Sequence, residues 1–476
     1  MVGVRIVLPV ILSISAVLGQ TNSFYVSTTG DDASPGTQSA PWRTIQHAVD
    51  TVRAGGTVNV RGGIYEERVT VNVSGNAEDG YVTLRSYPGE IAVLEGEHLT
   101  PGARTAMLDI RNKSYIRIEG LEIRNYRTDG HRLTPMGISV TGSGTHIEIL
   151  RNNVHHIENN FPGRDAPGSG GNGFGIAIYG TDAAAPIDQL VIDGNDVHHL
   201  KTGSSESLVV NGNVTNFRIV NNKIHDNNNI GIDIIGFERT APNPAVDQAR
   251  DGVVIGNLVY NITSRGNPAY GNDQSSDGIY VDGGTRVLIE QNVIHHVDFG
   301  IELASEHRGR TTSYITARNN LIYACNTAGI SIGGYGAERG GTDHCMIANN
   351  TLYENDTSDT SSGEFQMQFN MTYNTFEKNI VYAGARCLVT ASKSGRVDAN
   401  TPAVTLNQNV YYCDSGAAAS KWGWYPANYT GFDKWVQGTG NDGQSRFSDP
   451  RFIDPTTADF HLKSDSAAVH AGSYAK

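Results

Sequence analysis

The sequence predicts an all-β fold, a single-stranded parallel β-solenoid capped at its N-terminal end by one helix, and three observations carry that reading. A four-residue phrase recurs nine times: an asparagine, two mostly apolar residues, then an aromatic residue or histidine, as in Asn222-Lys-Ile-His225, Asn292-Val-Ile-His295 and Asn320-Leu-Ile-Tyr323. Its copies begin at Asn152, Asn195, Asn222, Asn257, Asn292, Asn320, Asn350, Asn379 and Asn409, 27 to 43 residues apart. Alternating apolar stretches such as Val287-Leu-Ile-Glu-Gln291 precede most of them, and a second short strand opening with Gly-Ile follows several, at Gly137, Gly175, Gly231, Gly278, Gly300 and Gly329. Strand, bend and strand at a near-constant period make one coil of a stack in which each repeat buries its apolar face only against its neighbours.

The asparagine has a structural reason to recur. A tight bend between buried strands leaves backbone groups without ladder partners; Asn tolerates left-handed backbone angles, and its amide can bond the same atom type one coil away. A column of hydrogen-bonded amides is therefore expected. The ring that closes each phrase, at His155, His198, His225, Tyr260, His295 and Tyr323, is expected to stack on its neighbours rather than do chemistry.

A repeat stack grows in one dimension, so 476 residues are compatible with one long domain. The expected divisions are a secretory signal over 1–19, an N-terminal segment with the capping helix over 20–60, the β-helix over 61–415 and a C-terminal capping segment over 416–476. The signal rests on Arg5, the apolar run 6–18 and small residues at Val17-Leu-Gly19. No later stretch has the length of apolar residues a membrane span needs. A net charge of −13 with no basic cluster repels phosphate and excludes nucleic acid as a partner. The expected protein is extracellular and monomeric. Eight Asn-X-Ser/Thr sequons, at Asn72, Asn112, Asn213, Asn261, Asn349, Asn355, Asn370 and Asn428, fit that route. Of the three pairings open to Cys325, Cys345, Cys387 and Cys413, the expected one joins Cys325 to Cys345 and Cys387 to Cys413; without a Cys-X-X-Cys, the thiols are not expected to bind metal.

Near the start, Ile45, Ala48, Val49 and Val52 fall at helical spacing and Gly55-Gly56 follows, which predicts an amphipathic helix covering the open end of the apolar core. The opening Phe24-Tyr-Val-Ser-Thr-Thr-Gly-Asp-Asp-Ala-Ser-Pro-Gly-Thr37, with Asn59-Val-Arg-Gly-Gly-Ile-Tyr65 and Tyr87-Pro-Gly-Glu90, resembles the N-terminal region of right-handed parallel β-helix proteins of the pectate-lyase-like superfamily. Ser448-Asp-Pro-Arg-Phe-Ile453 with Asp459-Phe-His-Leu462 resembles the C-terminal end of many secreted members. The resemblance implies a right-handed parallel β-helix and a carbohydrate ligand; that superfamily hosts lyases, hydrolases, epimerases and non-catalytic spikes, so it does not choose the reaction.

Chemistry is expected where the Gly-Ile strands turn acidic. The residue two after each Gly faces outward and forms one column, Ser139, Ala177, Asp233, Tyr280, Glu302 and Ser331; Asp282 shares the face of Tyr280. With coils about 4.8 Å apart, Asp282 or Asp233 lies about 8–9.5 Å from Glu302, within or near the separation of an inverting glycosidase's two carboxyl groups. Closely stacked carboxylates raise one another's pKa, as a general acid requires. Glu302, Asp282 and Asp233 are thus the candidate catalytic residues. The long polar loops 237–251, 263–276 and 305–313 flank this face and offer Glu306, His307, Arg308, Arg310, Arg239 and Asp247, and Tyr280, His307, Glu306, Arg308 and Arg310 are the candidate substrate contacts. Trp422, Trp424, Tyr425 and Trp435 are expected to close the last coil rather than stack on sugar.

A second reading is a lyase. Asn272-Asp-Gln-Ser-Ser-Asp-Gly-Ile-Tyr-Val-Asp282 resembles the aspartate-rich calcium stretch of family-nine pectate lyases, which implies Asp273, Asp277 and Asp282 as Ca2+ ligands. Otherwise Asp277 is expected to be a turn residue. The family's base is a lysine, and none stands between Lys223 and Lys378. Two markers of polygalacturonase-type hydrolases, Asn-Thr-Asp and Gly-His-Gly, are missing as well, and the one Asp-Asp pair, Asp31-Asp32, stands in the N-terminal segment away from the repeat strands. The sequence thus favours an enzyme cleaving an extracellular polysaccharide or oligosaccharide by hydrolysis with no required cofactor, over a calcium-dependent lyase and over a non-catalytic glycan-binding β-helix.

Overall fold

The structure, a computed structural model, describes residues 22–163, 171–385, 387–391, 403–469 and 471–472. The expected signal segment 1–19 lies outside the described residues. Each coil sends one strand or more to each of three parallel faces, which among the described residues form one sheet of 17 strands and two of 13. A representative coil runs from Arg218–Val220 through Lys223–Asn227 to Ile232–Ile235. The next coil follows in register, Ile219 opposite Val254, Ile224 opposite Val259 and Ile232 opposite Ile279. These aliphatic side chains point inward and are 0% exposed, each contributing about 1.5–3 kcal/mol by leaving water.

The nine asparagines stand in one continuous buried column. Nδ2 of each donates to Oδ1 of the next, at 3.0 Å from Asn152 to Asn195, 3.0 Å from Asn222 to Asn257 and 3.2 Å from Asn379 to Asn409. The same Oδ1 also accepts a backbone N–H, and the Nδ2 also donates to a carbonyl, as Asn222 does with Asn257 and Ile192. The expected reason needs one correction: the left-handed angle belongs to the preceding residue, with φ 54° at Asn221, 57° at Gln291 and 55° at Lys378. The bend is made one step early, which leaves the asparagine to satisfy the broken ladder with its side chain.

Ring centroids in the second column lie one coil apart, 4.9 Å for His198 and His225, 4.7 Å for His225 and Tyr260 and 5.1 Å for Tyr260 and His295, so the rings stack as expected. At the N-terminal end the helix Ile45–Thr51 buries Ile45, Ala48 and Val49. Thr44 caps it by accepting from His47 N, and the Glu67 carboxylate accepts from Ile45 N and Gln46 N, which satisfies donors a helix start leaves open. At the other end Trp422 stacks on Trp435 at 5.0 Å, both buried, while Tyr425 remains exposed. The asparagine column terminates there: Asn409 Nδ2 donates to Asp442, which also accepts from Trp435 Nε1. The hairpin of Phe452–Asp454 and Asp459–Leu462 then packs Phe452 and Phe460 on the tyrosines Tyr323, Tyr353 and Tyr382.

The expected disulfides are absent, and all four cysteines are free. Cys325 follows a second-face strand, whereas Cys345 sits between two strands of the first face, so their thiols occupy different sides of the coil and bond separate carbonyls, Tyr323 O and Thr312 O. Cys413 faces Ser415 instead of Cys387. Burial pushes the Cys345 thiol up to about 12. Two sequon asparagines, Asn213 and Asn355, are buried and bond backbone groups, which makes them structural amides. Among the described residues no helix is long and apolar enough to cross a membrane.

Candidate active site

The outward column on the third face is in the expected register, with one extra coil. Ala177 pairs with Val209, Val209 with Asp233, Asp233 with Tyr280, Tyr280 with Glu302 and Glu302 with Ser331. The strand that supplies Val209, Leu208–Gly212, lacks the Gly-Ile opening. Its place was nonetheless readable, because 56 residues between Gly175 and Gly231 leave room for a second coil.

These positions point away from the core but not into open water. Asp233 is 2% exposed, Asp282 5% and Tyr280 6%. The loops after Ile232–Ile235, Leu258–Ile262 and Phe299–Ala304 rise around them, and Ser139, Asp233, Tyr280 and Asp282 line the floor of a groove of about 2180 Å³. Asp298 holds one wall in place: fully buried, its carboxylate accepts from Thr263, from Ser264 N and from Ser276 N and Oγ, which pins both ends of the 263–276 loop. Asp247 does the same for the loop before it, accepting from Arg239 N and Ala241 N, and is therefore structural.

Acids crowd this region: Glu206, Asp233, Asp282 and Glu306 line the groove, and Glu302 lies one coil on from Tyr280. Glu302 and Asp277 stand in electrostatic reach of each other, and Asp277 Oδ1 is enclosed without a hydrogen-bond partner; Ser331 Oγ and Gln368 Nε2 approach Glu302 Oε1, both at 3.4 Å. Asp277 is the first residue of the strand Asp277–Asp282 and is 2% exposed, which corrects its reading as a turn residue. Burial pushes the Glu302 carboxyl up to about 7. Burial, then the Glu302 charge, raises Asp277 well above the carboxylate range. Asp233 is raised by burial and then by Glu206 and Asp282, and its Oδ1 is enclosed without a hydrogen-bond partner. Glu206, which no repeat phrase marks, is pushed up to about 8 by burial and the Glu238 charge. Carboxyls crowded this way cannot all ionise, so the cluster holds protons at neutral pH.

The remaining sequence candidates divide between two places. Tyr280 packs on Ile230 and Ala304 between Asp233 and Glu302. Asp282 is turned from Glu302 toward the 305–313 loop: its Oδ1 accepts from Glu306 N at 2.8 Å and its Oδ2 lies 3.9 Å from His307 Nε2. Glu306 borders the groove, whereas His307, Arg308 and Arg310 line a neighbouring hollow of about 620 Å³. Arg310 lies over the Phe237 ring at 5.0 Å.

The calcium set that the lyase resemblance implies does not assemble. Asp277 and Asp282 occupy opposite ends of one extended strand, roughly 16 Å apart by strand rise, and Asp273 is exposed on the loop before it. No single ion can bridge them. The other side chains of the groove include Arg68, Arg104, Arg111 and Arg239, with Arg104 over the Tyr179 ring at 4.5 Å, and among the described residues no lysine lines the groove.

Comparison with known proteins agrees with this architecture. The family description "Pel9A-like, right handed beta helix region" matches residues 24–163, and "Right handed beta helix region" matches 206–345 and 254–423. The uncharacterized protein YwoF of Bacillus subtilis (strain 168) is 39% identical over 452 residues, 94% of this chain and 92% of that protein. Pectate lyase PEL9 of Emericella nidulans is 40% identical over 102 residues, 21% of this chain and 25% of the lyase. Among solved structures, the A-module of the Azotobacter vinelandii mannuronan C-5 epimerase AlgE6 aligns with a TM-score of 0.52 at 15% identity, over 85% of this chain and 93% of the module. The chain belongs to the right-handed parallel β-helix proteins of pectate-lyase-like architecture, in one family with YwoF.

Proposed function

We propose that this protein is a secreted carbohydrate-active enzyme that hydrolyses glycosidic bonds of an extracellular polysaccharide or oligosaccharide. The observation that carries the reading is the carboxyl pair on one column, Asp233 and Glu302 on either side of Tyr280 with Asp277 in electrostatic reach of Glu302, beside a long walled groove that Asp233, Tyr280 and Asp282 line. Two coils separate Asp233 from Glu302, about 9.6 Å at the strand spacing, close to the separation that leaves room for a water between two carboxyls.

In this reading Glu302, its carboxyl pushed up to about 7 by burial, gives its proton to the leaving glycosidic oxygen. Asp233 in its ionised form takes a proton from the attacking water, which bonds to the anomeric carbon from the opposite face and inverts it. The raised pKa of Asp233 makes it a stronger base once ionised. Tyr280 supplies an apolar face for a sugar ring, and the groove arginines reach hydroxyls or carboxylates. The secreted location rests on the apolar run 6–18.

The partial likeness to PEL9 favours β-elimination as the second reading, against which stand the dispersed Asp273, Asp277 and Asp282 and a groove that no lysine lines among the described residues. A non-catalytic binder has no use for enclosed, unpaired carboxyls. A glycan panel read at once for reducing ends and for absorbance of unsaturated uronate products separates the three. Reducing ends without absorbance support hydrolysis, both together mean elimination, and binding with neither means a lectin-like protein.

A further inference from the structure

Asp282 is left without a task by the carboxyl pair, and its surroundings differ from those of Glu302. Its side chain is 7% exposed, its one hydrogen bond comes from Glu306 N to Oδ1, and Oδ2 faces His307 Nε2 at 3.9 Å, beyond hydrogen-bonding distance. That ring nitrogen is itself enclosed and has no hydrogen-bond partner. Two polar atoms of opposite preference thus face each other across a gap, and neither is satisfied by protein. The Glu238 carboxylate completes the corner: one ligand atom each from Glu238, Asp282 and His307 lies within 4.8 Å of the others. Among the described residues this is the only group of three or more His, Cys, Asp or Glu side chains that converges so closely. Asn211 Nδ2 holds Glu238 Oε2 at 2.7 Å, the kind of outer contact that orients a ligating carboxylate.

We infer that Glu238, Asp282 and His307 form a site for one divalent cation of intermediate hardness, Zn2+ or Mn2+, at the edge of the groove. The donor set selects the class. One imidazole and two carboxylates suit Zn2+ or Mn2+, whereas Ca2+ takes six to eight oxygens and gains nothing from a ring nitrogen. Ligands about 2.1 Å from a shared ion stand at most about 4.2 Å apart, so the corner has to close by a few tenths of an ångström. Glu238, exposed on its loop, can make that movement. The ion would neutralise a place where burial and the Glu306 charge already oppose ionisation of Asp282. It would sit beside the proposed carboxyl pair, and the inference does not depend on hydrolysis. The site also differs from the aspartate-only set implied by the resemblance to family-nine lyases, since of those residues it keeps only Asp282.

The test is calorimetric titration of chelator-stripped full-length protein with ZnCl2, MnCl2 and CaCl2, alongside thermal melts. The expected result is one Zn2+ or Mn2+ per chain, a raised melting midpoint, and Ca2+ binding at least tenfold weaker. His307→Ala and Glu238→Gln, both on exposed loop segments, should each weaken binding at least tenfold with an unchanged circular dichroism spectrum. Absence of stoichiometric binding, unchanged affinity in both variants, or Ca2+ binding as tight as Zn2+ would overturn the proposal. Glycan turnover measured separately on Glu302→Gln, with its ion binding followed in parallel, keeps failure of this site distinct from failure of the hydrolytic reading.

Discussion

Asp277 and Glu302 stand close enough to shift each other's proton affinity, and among the described residues neither forms an ion pair with a lysine or arginine, so burial leaves at least one of the two carboxyls protonated at neutral pH. A carboxyl that retains its proton at neutral pH is what protonation of a glycosidic leaving group needs.

Glu302→Gln and Asp233→Asn keep side-chain shape while removing proton transfer. Each should lower kcat by about 10²-fold or more, the usual scale for acid–base residues, with the melting temperature unchanged or raised. Wild-type turnover in both variants on a confirmed substrate would place the chemistry elsewhere.

Stability should fall as the solution becomes alkaline. Glu302 rises from 4.5 to about 7 and Glu206 to about 8 in the folded chain, so between their unfolded and folded values the native state binds more protons than the unfolded one, and stability declines with pH. Half-buried His198 and His295, lowered to about 4 by desolvation, act in the opposite direction below about pH 6.5. The acids therefore dominate from about pH 6.5 to 8. Melts across that window should show a falling midpoint, and Glu302→Gln should flatten the fall, recovering about 1–3 kcal/mol at pH 8. A flat wild-type profile would contradict the protonated carboxyl cluster.

The amide column should matter for folding and not for sugar. Asn257→Ala removes an amide whose nitrogen donates to Ile219 O and Asn292 Oδ1 and whose oxygen accepts from Asn222 N and Nδ2. Leaving those buried groups unsatisfied should cost about 1–3 kcal/mol, read by denaturant unfolding, while glycan affinity of the folded fraction stays at the wild-type value.

Asp298→Ala should loosen the groove wall it anchors. Loss of its acceptor contacts to Thr263, Ser264 and Ser276 frees both ends of the 263–276 loop, so limited proteolysis should cut there first, and KM should rise more than kcat falls. Equal protease resistance in variant and wild type would show the loop to be held by other contacts.

Much of this was legible in the chain because a solenoid repeats its reasons. Asn152 to Asn409, the stacked rings and the Asp233–Tyr280–Glu302 column all follow from period and alternation, which a sequence displays directly. What it hid depends on chain folding back over that face. Nothing local distinguishes Asp282 exposed on a coil from Asp282 sunk beneath Glu306 and His307, and Asp277 looked like a turn residue because its partner lies 25 positions on, at Glu302. The cysteine pairing failed for a related reason: neighbouring coils are close in space, but positions within a coil point to different sides, and Cys325 and Cys345 do not share one.

The one-coil register of the third face gives the groove a discrete measure of length. Loops can raise or lower its walls by any amount, but the distance along the floor from Asp109 through Ser139, Ala177 and Val209 to Asp233 changes only by whole coils, in steps of about 4.8 Å. Insertion or loss of one repeat on that side would leave the acids in place and shift the groove's far end by one increment. Relatives differing in coil number would then grip chains of different length with the same chemistry.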